Sequence, residues 1–122
     1  MITAVDHVLL AAPPGSEERL RTYYVGVLGM TEIPKPAALA ARGGCWFQAG
    51  SVQLHLGIES DFRPATKAHP GLRVTGIERY AARLAARGAR VEWDETLPGH
   101  RRFYSYDPLG NRLEFLEPVT PV

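Results

Sequence analysis

The residues able to do chemistry are few, and most are polar groups set inside apolar runs. His7 lies in Asp6-His7-Val8-Leu9 and His69 in His69-Pro70-Gly71-Leu72-Arg73-Val74, while Glu114 sits between Leu113 and Phe115. Gln53 and His55 alternate with Val52, Leu54 and Leu56. Two imidazoles and a carboxylate make a facial ligand set for a borderline or hard divalent ion, Fe, Mn, Ni, Co or Zn, with positions left for water or substrate oxygens. No thiolate belongs to the set, which argues against a closed structural zinc site. Cys45 is the single cysteine, so no internal disulfide can form. Its setting between Gly44 and Trp46 reads as a small buried hydrophobe rather than a nucleophile.

These residues acquire a geometry from a repeat of the elements that carry them. Ser16 is placed to cap a helix with Glu17 and Glu18 in its first turn, where carboxylates favour the positive end of the dipole. Leu20, Tyr23, Tyr24, Val27 and Leu28 share one helical face, and Gly29 ends it. In the second half Thr75 and Glu78 form a Thr-x-x-Glu capping box. Ile77, Tyr80, Ala81, Leu84 and Ala85 repeat the apolar spacing, and Gly88 is the stop. Ser16 to Thr75 and Gly29 to Gly88 are both offsets of 59 residues. Strand patterns flank each helix: Thr3 to Ala11 and Met30 to Ile33 in the first half, Ala68 to Val74 and Ala89 to Asp94 in the second. Cys45 to Gln48 with Ser51 to Gly57, and Arg102 to Tyr106 with Asn111 to Glu117, close the two halves. The order is β-α-β-β-β, twice, which predicts a duplicated α+β domain. Its modules span 1–58 and 68–122, joined by a polar linker at 59–67; Pro34 to Gly44 reads as a mobile loop. The strands are expected in curved mixed sheets, with the helices Ser16 to Leu28 and Gly76 to Arg87 outside.

Strand parity then selects a cavity face. Successive side chains alternate sides, so if Leu113 and Phe115 lie under the helix, Glu114 faces the opposite way. By the same rule Val52, Leu54 and Leu56 go to the helix, and Gln53 and His55 look into the cavity. Of the adjacent Trp46 and Phe47, one should wall the cavity and the other should face the helices.

At these residues the chain resembles the vicinal oxygen chelate superfamily of glyoxalases, extradiol dioxygenases and bleomycin resistance proteins. The matches are Asp6-His7-Val8, His69 at the start of the second module, and Phe103-Tyr104-Ser105-Tyr106-Asp107-Pro108-Leu109-Gly110-Asn111-Arg112-Leu113-Glu114, which is similar to the family's closing F-x-x-D-P-x-G-N-x-x-E hairpin. The resemblance covers essentially the whole chain and implies His7, His69 and Glu114 as metal ligands. A fourth ligand would come from the closing strand of the first module. Counting from Gly50 as the counterpart of Gly110 lands on Leu54, and a slip of one residue admits Gln53 or His55; His55 is preferred because imidazole is the stronger ligand. Either residue could instead orient substrate or act as a base. Tyr104, Arg101 and Trp46 are candidate substrate contacts, with Arg102 and His100 beside them.

The resemblance implies two kinds of function. One is a metal-dependent lyase, isomerase or dioxygenase of glyoxalase type, in which the ion binds two vicinal oxygens of a small substrate and stabilises an anionic intermediate. The other is a metal-free module that sequesters a drug-like ligand, as in the bleomycin resistance branch. A homodimer is expected, since half-open sheets have edges that want covering. Fourteen basic and thirteen acidic residues give a net charge of +1 without a basic block, so no nucleic-acid partner is expected. No apolar run approaches the length of a membrane span and no leader precedes the first strand pattern, so the chain reads as cytoplasmic, with no membrane partner.

Overall fold

The computed structural model describes residues 1–119; residues 120–122, the end of the second module, lie outside the described residues. The chain divides into two compact units, Met1–Pro64 and Ala65–Val122, with the division inside the polar 59–67 stretch. Each unit carries one four-stranded mixed sheet.

In the first unit β1 (Val8–Ala12) is followed by a helix, then β2 (Thr31–Ile33), β3 (Cys45–Ala49) and β4 (Val52–Ile58), in the sheet order β1-β4-β3-β2. β1 runs parallel to β4, and the other pairings are antiparallel. The helix begins as α1 (Glu17–Arg21) and widens to a π-helical turn at Thr22–Val27. Where the sequence pattern predicts one regular helix, Thr22 Oγ1 donates to the Glu18 carbonyl at 3.1 Å, a local bond that competes with the α ladder. Tyr23 and Tyr24 are both buried, and Tyr24 stacks on Phe47 with ring centroids 5.0 Å apart. Ser16 is the N-cap residue but does not cap with its side chain; its hydroxyl turns back to the Pro13 carbonyl at 2.6 Å. A short helix, α2 (Ala37–Ala40), interrupts the Pro34 to Gly44 stretch read as a loop.

The second unit repeats the plan with β5 (Gly71–Arg73), α3 (Ile77–Ala86), β6 (Glu92–Asp94), β7 (His100–Tyr106) and β8 (Arg112–Pro118), in the order β5-β8-β7-β6. Gly29 and Gly88, at φ 83° and 84°, end the two helices at the left-handed conformation that glycine tolerates. The helix faces are those read from spacing, with Ala85 the exception in being exposed. Ile77, Ala81 and Leu84 bury against β7 and β8, where Phe103 and Phe115 stack at 5.1 Å.

Three expectations are corrected here. The first strand starts at Val8 rather than Thr3, and residues 1–7 are exposed. The second module's first strand is only Gly71–Arg73, because Pro70 lacks the N–H that would extend the ladder. The Thr75–Glu78 capping box does not form. Gly76 takes the N-cap position at φ 67°, and the carboxylate of Glu117 on β8 accepts from the Gly76 and Ile77 amides at 2.9 and 3.0 Å. Replacing Glu117 with alanine should lower the free energy of unfolding by about 1 kcal/mol, the usual worth of a cap. A chemical denaturation midpoint unchanged by the substitution would remove that role.

The lone thiol fits its reading as a small apolar group. Cys45 is buried under the first helix, and burial pushes its thiol up to about 11.

Candidate functional site

Both sheets place polar side chains on the face away from their helix, and pairing register fixes which ones. In the second unit Glu114 pairs with Gly71 on one side and Tyr104 on the other, so His69, two residues before Gly71, reaches the same face. His69 Nε2 lies 2.9 Å from Glu114 Oε1. His69 Nδ1 lies 2.6 Å from the Lys67 carbonyl, which can only accept, so Nδ1 carries a proton. In the neutral ring Nε2 then aims a lone pair at a carboxylate oxygen. Two acceptors facing one another at this distance mark a place for a cation, whether a second ring proton or a metal ion. A histidine steadied through its other nitrogen by a backbone carbonyl is the usual outer arrangement of a metal ligand. The second carboxylate oxygen of Glu114 accepts from Arg102 Nη1 at 3.2 Å, and Arg102 also pairs with Asp94 at 3.1 Å. The Glu114 side chain keeps only 12% of its surface exposed.

The first unit holds the matching constellation. β1 pairs Leu9 with His55, β3 pairs Trp46 with His55, and His7 lies two residues before Leu9. His55 thus occupies in β4 the position that Glu114 occupies in β8, and Trp46 that of Tyr104. Gln53 corresponds to Arg112. The count from Gly50 misleads because the β3–β4 hairpin turns after Ala49↔Val52, whereas β7–β8 needs the longer Asp107-to-Asn111 loop between Tyr106 and Arg112. His55 is sandwiched: its ring stacks on His7 at 4.1 Å and on Trp46 at 4.0 Å. Its Nε2 is 2.9 Å from Gln53 Oε1, and burial, then the charge of His7, holds its imidazole below the usual histidine range. His7 Nδ1 meets Asp6 Oδ1 at 2.9 Å. Phe47, the neighbour of Trp46, faces the helix.

Each unit therefore gathers one pair of the expected residues, His7 with His55 and His69 with Glu114. Among the described residues no group of three or more His, Cys, Asp or Glu side chains is arranged so that it could hold a metal ion. Tyr104 flanks the second pair, with the His69 ring edge-on to it at 5.5 Å. Arg101 does not join it: it pairs with Glu117 across the ladder, donates to Glu78 on α3 and lies over Trp93 at 4.3 Å, on the helix side of the sheet. Its neighbour Arg102 takes the face away from the helix, with Glu114. His100 shares that side by parity and contacts the Pro98 carbonyl at 3.2 Å. Arg112, not singled out in the sequence, lies on the same sheet face as Glu114, its guanidinium carbon 3.8 Å from the centre of the Tyr104 ring. Parity from Glu114 could have found it.

Two modules of this topology, each with a sheet whose polar face lies away from its helix, define the glyoxalase-like α+β fold. Comparison with solved structures agrees: a glyoxalase family protein from Bacillus anthracis shares 45% identity over 98% of both chains, with a TM-score of 0.95. The chain belongs to the glyoxalase family, within the vicinal oxygen chelate superfamily. The fold is shared at lower identity by the fosfomycin resistance protein FosX from Listeria monocytogenes (15% identity, 98% and 96% of the chains, TM-score 0.77), a mutant of which was solved with Mn(II) and 1S,2S-dihydroxypropylphosphonic acid. It is shared also by TnmS3, an antibiotic binding protein from Streptomyces sp. CB03234 (23% identity, 97% and 100%, TM-score 0.73). No family model and no curated protein matches the chain. Among the described residues no helix is long and apolar enough to cross a membrane.

Proposed function

We propose that this protein is a divalent-metal-dependent enzyme of glyoxalase type acting on a small substrate with vicinal oxygens. The observation that carries the reading is the His69–Glu114 pair, whose facing acceptors at 2.9 Å suit a cation. His7, His69 and Glu114 would hold the ion, and His55, by its equivalence to Glu114, is the favoured fourth donor over Gln53. Bound there, a divalent ion supplies Lewis-acid polarisation of two substrate oxygens. The chain's own residues do the rest. Trp46 stacks on His55 and shields it, so that the imidazole stays neutral and able to accept a proton or bind a cation. Gln53 orients that imidazole from its Nε2 side. Arg102 holds the second oxygen of Glu114, leaving one oxygen directed at His69. A homodimer belongs to the same reading: β1 and β5 are outer strands, and Leu9 of β1 is 63% exposed.

A metal-free ligand-binding module is the second reading. It is favoured by the same Arg102–Glu114 ion pair, which neutralises the carboxylate without any metal, and by the likeness to an antibiotic binding protein. Elemental analysis of untagged protein separates the two. The enzyme reading expects about one equivalent of a transition metal per chain, lost on chelation and restored by one of Mn, Fe, Co, Ni or Zn, together with sedimentation at the mass of two chains. Protein that purifies and reconstitutes without stoichiometric metal, yet binds planar ligands, would establish the second reading instead.

A further inference from the structure

The outer surface of α3 carries a line of charge that the helix itself does not call for. Arg79, Arg83 and Arg87 recur at every fourth residue, one turn apart, where like charges repel. Arg87 is the C-cap residue, at the negative end of the helix dipole, which accounts for a cation there. Arg79 lies in the first turn, at the positive end, where the dipole disfavours it. Neither Arg79 nor Arg87 meets a carboxylate among the described residues. Glu78, the one acidic residue of α3, accepts from Arg101 Nε at 3.1 Å instead. The exposed neighbours Ala82, Ala85 and Ala86 place nothing bulky or acidic against the line.

These side chains border a concavity rather than a flat surface. With Thr75, Gly76 and Tyr80 they line a cleft of about 350 Å³, within the roughly 300 to 1,000 Å³ of small-molecule clefts. Arg79 and Arg87 are exposed, and Arg83 is half-buried. Burial pushes the Tyr80 phenol up to about 12 against the opposing charge of Arg83, so the ring adds no negative charge at neutral pH. The Glu117 carboxylate, at the Gly76 end, is committed to the Gly76 and Ile77 amides, so an incoming anion would be held by side chains and not by the helix terminus. Three guanidiniums spread over eight residues, about 12 Å of helix rise, exceed what one carboxylate can span. They suit an anion whose charge is itself distributed, and guanidinium holds phosphate oxygens through paired N–H bonds. α3 packs on the helix side of the second sheet, so this cleft is separate from the face that presents His69 and Glu114.

We propose that Arg79, Arg83 and Arg87 form a second binding site on this protein, for a small polyanion bearing two or more phosphate groups. The site goes beyond the enzyme reading and needs no metal. It is tested on full-length protein, as purified and again after chelation, by calorimetric titration with tripolyphosphate, magnesium-free ATP and inorganic phosphate. Tripolyphosphate or ATP should bind with one molecule per chain and at least about tenfold more tightly than phosphate, the tighter of the two telling a bare phosphate chain from a nucleotide. R79Q/R87Q should weaken that binding at least about tenfold, and R79K/R87K should recover part of the loss. R19Q/R42Q, which removes the same charge from exposed positions of the first unit, should bind like the wild type. Without ligand the thermal midpoint of R79Q/R87Q should not fall, since repulsion along the helix is relieved, and with ligand only the wild-type midpoint should rise. Binding that disappears on chelation would place the phosphates on a metal ion and overturn the site. So would absence of saturable binding, equal affinity for inorganic phosphate, an R79Q/R87Q variant that binds like the wild type, or an equal loss in R19Q/R42Q. Should R79Q/R87Q fail to fold, R79Q and R87Q singly carry the same test.

Discussion

Glu114→Ala is expected to lower affinity for the activating metal by at least about a hundredfold, more than the loss seen when an outer partner of a ligand is removed, and to abolish any metal-dependent turnover. Each side chain that now faces Glu114 retains another partner after the change. His69 keeps the Lys67 carbonyl at 2.6 Å, and Arg102 keeps Asp94 at 3.1 Å. The cost to folding should therefore stay near 1 kcal/mol or below, within the range of substitutions that orphan no buried group. Metal content by mass spectrometry and the thermal midpoint of chelated protein check the two halves of this expectation. A variant that retains full metal stoichiometry and affinity would sink the assignment of Glu114 as a ligand. A collapsed midpoint without metal would recast Glu114 as a structural anchor of β5, β7 and β8.

Asp107→Ala should be the most destabilising single change in the closing hairpin, by about 3 kcal/mol, because it orphans several donors at once. Asp107 is buried at 4% exposure, and its Oδ1 accepts from the Leu109 and Asn111 amides, both at 2.9 Å. Its Oδ2 accepts from Asn111 Nδ2 at 2.9 Å, and Asn111 is itself buried. These bonds close the loop between Tyr106 and Arg112 and so set the register that brings Glu114 opposite Tyr104. Denaturant unfolding should show the loss as a shifted midpoint with an unchanged slope. Stability within 0.5 kcal/mol of the wild type, about the size of an ordinary surface substitution, would mean that the ladder rather than the loop holds the register.

The sequence by itself determined the architecture, for local reasons. Helix faces follow from a period of 3.6 and strand faces from a period of 2, so Leu20, Tyr24, Leu54, Leu113 and Phe115 belong to the core and Glu114, Gln53 and His55 to the other face on the sequence alone. The 59-residue offset between the two glycine stops exposed the duplication, and the Asp107-to-Glu114 motif pointed to the family. Long-range choices were decided only by the tertiary structure. Arg101 and Arg102 are equivalent in a linear reading, and which of them meets Glu114 depends on how many residues the hairpin spends before pairing resumes. The same loop length, compared with the two-residue turn after Ala49, is what matches His55 rather than Leu54 to Glu114. The cap of α3 comes from Glu117, forty residues along the chain, which no capping-box pattern can see. The unpartnered Nε of Arg112 is visible only in the folded chain, because an unmet hydrogen bond is a property of the whole environment of a group and not of its place in the chain.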